Sequence, residues 1–125
     1  PELAGYSDEV IGRGPGITYM NHHGRGTLAG YLPNRKFSKK KKKICRENNI
    51  PFQREVALGV LTETAYILFE NAKTVTGSIS IPTRYTHAPV EVISMEDLEN
   101  MYKFLYTFLK NYSPEMEFGK DQLCK

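Results

Sequence analysis

The chain is poor in the residues that bind metals in recognisable clusters. Its two cysteines, Cys45 and Cys124, share no motif spacing with each other or with a histidine. They read as reduced intracellular thiols. No paired-cysteine or H-E-x-x-H pattern occurs, so neither a zinc ribbon nor that type of metalloprotease helix is present. No apolar run approaches the length of a membrane span, and the opening residues carry no signal-peptide pattern. The expectation is a cytoplasmic protein with no membrane partner. The first residue is Pro1 rather than methionine, which fits a processed or truncated chain with something N-terminal missing.

What is present is ordinary globular composition, with 40% hydrophobic and 25% charged residues over 125 positions. That length allows one core and one domain. The net charge is +3, yet Lys39 to Lys43 alone supply five of the seventeen basic residues. Outside that run acids outnumber bases, so the basicity is local. The five lysines occupy successive positions of an expected helix and point around its cylinder. They read as a solvated helix face rather than a nucleic-acid site, which would interleave aromatics. No nucleic-acid partner is expected.

Three expected strands alternate with three expected helices. Ile17–Asn21, Phe52–Leu58 and Thr74–Ile81 have strand composition or alternation. A helix is expected over Asn34–Asn49, with Phe37, Ile44 and Cys45 forming a narrow apolar stripe and the Asn48-Asn49 pair ending it. A short helix follows over about Thr62–Asn71, with Thr62 as a candidate cap. The clearest helix starts after Ser94, where Ser94 and Asp97 have capping-box spacing. Leu98, Met101, Leu105, Phe108 and Leu109 are expected to line its apolar face. The tail after Tyr112 has no periodicity and is expected to be loose. This order predicts an α/β fold, three-layer α/β/α, with a small and largely parallel sheet. An edge of so small a sheet stays open, which favours self-association.

One stretch carries chemistry. In "GSISIPTRYTHAPVEV", Gly77 to Val92, a strand ends at Pro82, and Arg84, Tyr85 and His87 follow between Pro82 and Pro89. In α/β sheets functional groups gather beyond the carboxyl ends of strands, and the two prolines limit how far the loop wanders. Such stiffness suits a metal ligand, whose nitrogen must lie about 2.0–2.1 Å from zinc. Glu91 or a backbone carbonyl is a candidate partner for the second ring nitrogen. A lone loop histidine is also commonly a surface residue, and one histidine does not make a zinc site.

The segment "TGSISIPTRYTHAPVEVISMEDLEN", Thr76 to Asn100, resembles the C-terminal signature of the tetrahedral and glutamyl-aminopeptidase-like family of cocatalytic metallopeptidases. "IGRGPGITYM", Ile11 to Met20, is similar to that family's glycine-rich approach to a strand. "ENNIPFQREV", Glu47 to Val56, is similar to its passage into the next strand. The likeness covers roughly residues 10–110, in the family's order. It implies that residues 1–125 are the C-terminal portion of a zinc-peptidase-like catalytic domain and that His87 is a metal ligand. The parent reaction it implies is hydrolysis of N-terminal peptide bonds with two divalent metals, zinc or cobalt, and a glutamate base. The other ligands and that glutamate have no match here. The chain would bring one ligand and no catalytic residue. Where the family reads Gly-Gly-Thr-Asp-Ala near the substrate, this sequence reads "GVLTETA", Gly59 to Ala65. Thr62 and Glu63 are thereby implied to lie near a peptide substrate, although a glycine is lost and the acid is longer. A homo-oligomer is expected, and the isolated chain is expected to be inactive.

Other readings remain open at this stage. His22 and His23 are adjacent and would point to opposite faces of a strand, so a solvated turn is favoured over a metal pair. Arg84 and Tyr85 read as scaffold, with Arg84 able to clamp carboxylates or carbonyls. A cellulase-like endo-1,4-beta-glucanase would need two carboxylates flanking one bond. Glu55, Glu63 and Glu91 are its candidates, and no spacing pairs any two. A non-catalytic fragment that assembles with a partner is the third reading.

Overall fold

The structure, a computed structural model, describes residues 9–22, 30–58, 62–70, 74–116 and 118. It is an α/β fold built on β1, Gly16–His22. β2 (Gly30–Tyr31) follows, then helix α1 (Arg35–Glu47) and β3 (Gln53–Leu58). Helix α2 spans Glu63–Glu70 and β4 only Ile79–Ser80. β5 (Thr83–Arg84) and β6 (Val92–Ile93) precede the last helix, α3, Met95–Lys110.

The long pairing is the parallel one. β3 lies along β1 from Gly16↔Gln53 to His22↔Leu58, with an irregularity between Thr18 and Met20. The other edge of β1 is shared by two short antiparallel strands, β4 at its start and β2 at its end. The sheet is therefore mixed, a detail the alternation of strands and helices did not reveal. The expected third strand over Thr74–Ile81 shrinks to two residues for a physical reason. The Ser78 carbonyl is taken by Lys41 Nζ at 2.8 Å as well as by the Thr18 amide. A side chain at Gly77 would strike the Phe37 ring at 2.3 Å. Gly77 thus lies against α1, and Ser78 is shared between α1 and β1.

Asn34 caps α1, its side-chain oxygen accepting from the amides of Lys36 and Phe37. The helix ends where the sequence pointed. Asn49 takes a left-handed φ of 51°, the Ile50 amide reaches Cys45 O at 2.9 Å, and the Asn49 amide reaches Arg46 O. This double closure satisfies two carbonyls of the last turn and turns Ile50 into the core. That core comprises Ile17, Ile44, Cys45, Ile50 and Phe104, with Tyr19, Phe52, Ile79 and Phe108 packed against it.

Three expectations need correcting. The lysine run is not uniformly solvated: Lys41 is buried, and Lys42 lies over the Tyr19 ring at 5.0 Å. The apolar face of α3 is also different. Phe104 is its buried core residue, while Leu98, Leu105 and Leu109 are exposed. Phe108 of the expected stripe does pack against the core, but polar Asp97 and Asn100 share the buried side, so the apolar periodicity was right only in part. Finally, part of the tail is tied down. The Asn34 side-chain amide donates to Phe118 O at 2.7 Å, and the Phe118 ring meets Phe37 edge-on.

Candidate functional site

The stretch singled out in the sequence forms a hairpin. β5 and β6 pair antiparallel, Thr83↔Ile93 and Arg84↔Val92, as a two-stranded sheet separate from the main one. Pro82 is buried at its base, and the Thr83 hydroxyl donates to Ile81 O at 2.9 Å. Residues 85–91 form its exposed tip. Tyr85 and His87 both adopt left-handed φ, 62° and 63°. For residues other than glycine that conformation costs about 1–2 kcal/mol each. It is held by two hydrogen bonds. The Ala88 amide closes a turn on Tyr85 O at 3.1 Å, and the His87 amide donates to Glu91 Oε1 at 2.8 Å.

Glu91 therefore grips the backbone of His87, not its ring. The expectation that Glu91 orients the imidazole is replaced by one in which it orients the residue. His87 itself is exposed, and among the described residues no side chain bonds its ring. Nor do three or more His, Cys, Asp or Glu side chains come together among the described residues. The donor set on this chain thus fits one ligand of a multi-ligand metal site, with the imidazole carried on a pinned turn. Among the described residues it does not fit a complete site.

The other candidates sit elsewhere. Glu63 is exposed on the first turn of α2, and Thr62 just before it shares a hydrogen bond of 2.6 Å with the Thr64 hydroxyl. The Thr62 carbonyl accepts from the Ala65 amide, so the residue starts the helix through its backbone. Neither residue hydrogen-bonds the hairpin. Gly59, Val60 and Leu61 of the same loop lie outside the described residues. His22 ends β1 opposite Gly30, and its neighbour His23 lies outside the described residues. Of the three glutamates considered for glycoside chemistry, Glu55 is buried against the Thr18 hydroxyl, Glu91 is committed to His87, and Glu63 faces solvent.

Two buried side chains whose partners the sequence did not reveal tie the elements on either side of the hairpin to the rest of the fold. Asp97 accepts from the Gly12 and Gly14 amides, both at 2.7 Å, and so ties the start of α3 to the glycine-rich loop before β1. Its amide still donates weakly to Ser94 Oγ, so only half of the expected capping box forms. Lys41 ties α1 to Ser78, just ahead of β4 and the hairpin. Burial pushes the Lys41 ammonium down to about 8, an effect that Glu55 and then Cys45 oppose. Burial likewise pushes the Cys45 thiol up to about 11 against the pull of Lys41. The Ser78 hydroxyl donates to Thr18 Oγ1 and Thr18 in turn to Glu55. A lysine in a run of five gives no local sign that it alone turns inward.

The sequence matches the profile of the M42 glutamyl aminopeptidase family over residues 1–104. The chain belongs to that family. It is 48% identical over 105 residues to the protein named "Putative aminopeptidase SgcX" of Escherichia coli (strain K12), covering 84% of this chain and 28% of that protein. Its fold is similar to the aminopeptidase APDkam598 of the archaeon Desulfurococcus kamchatkensis, with a TM-score of 0.77 and 30% identity over 86% of this chain and 29% of the other. It is also similar to the TET1 peptidase of Pyrococcus horikoshii, described as assembling into a tetrahedron or a large octahedral shell. There the TM-score is 0.64 and the identity 25%, over 81% of this chain and 27% of the other. The chain thus spans under a third of the length of these relatives.

Proposed function

We propose that this chain is the C-terminal portion of the catalytic domain of a metal-dependent aminopeptidase that hydrolyses N-terminal peptide bonds. His87 supplies one ligand to a pair of divalent ions, zinc or cobalt, whose other ligands lie on polypeptide beyond these residues. The observation that carries this reading is the exposed histidine, pinned by Glu91, in the family-like "PTRYTHAPVE" segment of a chain that belongs to an aminopeptidase family. When bound, such ions supply an activated water and Lewis acidity.

The chain's own residues then have definite tasks. Glu91 and the Tyr85 turn fix where the His87 imidazole stands, which matters because a ligand misplaced by about 1 Å loses its bond. Asp97 and Lys41 hold the two ends of the segment that presents the hairpin. Thr62 and Glu63, at the start of α2, face the peptide substrate. The whole protein is a cytoplasmic homo-oligomer. Support for assembly is the likeness to a peptidase described as forming closed shells.

The test is the substitution His87→Ala in the longer protein from which this chain comes. Metal content by mass spectrometry and hydrolysis of aminoacyl substrates are expected to fall together, the latter by more than about a hundredfold. The 125-residue chain alone is expected to show no hydrolysis with either ion. Full metal content and turnover in the His87→Ala protein would overturn the assignment.

A further inference from the structure

Beyond α3 the chain turns back on the fold. Asn111 closes the helix, and Pro114 follows at a corner it pre-shapes by fixing φ. The Met116 amide donates to Ser113 O at 3.0 Å, and the Glu115 amide donates to Ser113 Oγ at 3.2 Å. Phe118 then docks at the start of α1. The Asn34 side-chain amide donates to Phe118 O at 2.7 Å, and the Phe118 and Phe37 rings meet edge-on at 5.1 Å. All of these residues lie past residue 104, where the family match ends.

Both docking partners are shared with something else. Asn34 Oδ1 caps α1 by accepting from the Lys36 and Phe37 amides, while its nitrogen holds Phe118. The Phe37 ring is met by Phe108 of α3 at 5.5 Å on one side and by Phe118 on another. Lys41 Nζ lies over the same ring at 5.4 Å. A side chain at Gly77 would strike Phe37 Cε1 at 2.3 Å, so the ring presses on the bare backbone there. Lys41 grips the carbonyl of the next residue, Ser78, and β4 starts one residue later at Ile79. Edge-on contacts fix the orientation of an aromatic ring. Phe118 therefore bears, through Phe37, on the backbone that leads into the hairpin.

We propose that residues 113–118 are a strap that closes on Asn34 and Phe37 and thereby fixes residues 76–80, the root of the hairpin that carries His87. Among the described residues the strap is joined to α1 by one hydrogen bond and one ring contact. Links so few open locally, without unfolding the rest. An open strap frees one side of the Phe37 ring and loosens the hairpin root, while β1 and β3 keep their pairing. The strap stands on these contacts alone and not on metal chemistry.

The experiment is hydrogen–deuterium exchange, read by peptide mass spectrometry, on the longer protein that contains this chain. Phe118→Ala is expected to speed exchange over residues 76–84 about fivefold, with β1 and β3 unchanged. Asn34→Asp keeps an oxygen to cap α1 but replaces the donor to Phe118 O. It is expected to speed exchange over 76–84 about threefold and to leave the first turn of α1 protected. Asn34→Ala is expected to expose that first turn as well. Phe37→Ala is expected to loosen 76–84, and adding Phe118→Ala to it to change nothing further, because the route is already cut. Circular dichroism confirms that each variant is folded.

Unchanged exchange over 76–84 in both Phe118→Ala and Asn34→Asp overturns the proposal. An equal rise in β1 and β3 also overturns it, since Phe118 would then support the whole fold rather than the hairpin root. An additive effect in the double variant overturns it too, because Phe118 would act by a route that bypasses Phe37. None of these measurements reads metal or hydrolysis, so the strap and the aminopeptidase assignment fail separately.

Discussion

On the first turn of α3, the Asp97 carboxylate accepts hydrogen bonds from two amides that lie 85 and 83 residues earlier in the chain. Both belong to glycines with positive φ, and a side chain at Gly14 would meet the Pro51 carbonyl at 2.4 Å. The loop can expose those amides only because glycine occupies both positions. Asp97→Ala leaves the buried Gly14 amide without its acceptor, at about 1–3 kcal/mol, and removes a bond worth about 1 kcal/mol from the exposed Gly12 amide. A loss of about 2–4 kcal/mol is expected, read as a lower urea midpoint with an unchanged slope. Asp97→Asn is expected to do little better, since its amide group would face one of the donors. In the sequence Asp97 was legible as a helix-start residue. Its actual partners were not, because a hydrogen bond across more than eighty residues leaves no trace in local spacing.

Among the elements, the β5–β6 hairpin stands apart from the main sheet and depends on its own contacts. The Glu91 carboxylate on the His87 amide is the one that spans its tip. Glu91→Ala is expected to remove about 1 kcal/mol of local protection, seen as an approximately fivefold faster amide exchange at His87. Global stability is expected to change little, because no core residue lies in the tip. Equal loss of protection in the core and the tip would mean that the hairpin is not an independent unit. The prolines bracketing this segment announced a stiff turn, and the turn is there. The two residue pairs of β5 and β6 were not announced, since two-residue strands have no alternation to read. Helix α3 shows the opposite failure. Its apolar periodicity was real, but it belonged partly to the face away from the core.

For the molecule as a whole, the buried Lys41 and Cys45 make stability depend on pH in opposite directions. Lys41 drops from 10.5 to about 8 on folding. Between those values the unfolded chain holds a proton that the folded chain has released, so stability rises with pH. Cys45 rises from 9.0 to about 11. Across that window the unfolded thiol has lost its proton first, so stability falls with pH. The expected curve climbs by about 1 kcal/mol between pH 8 and 9 and then flattens. Lys41→Met is expected to abolish the climb, and Cys45→Ala to extend it beyond pH 9. Urea titrations of the three proteins at matched pH check this. A wild-type curve that falls between pH 8 and 9 would contradict it.

The sequence by itself determined the α/β class, the helix ends at Asn48-Asn49 and Ser94, the stiff turn around His87 and the resemblance to an aminopeptidase family. All of these are written in local spacing, in backbone-restricting residues or in one contiguous motif. Only the tertiary structure decided that Lys41 turns inward, that Asp97 holds the glycine loop, that Glu91 grips a backbone amide and that α3 keeps an apolar face uncovered. Each of those outcomes depends on which surfaces meet across the fold. That is settled by the packing of distant segments, not by the preferences of any one of them.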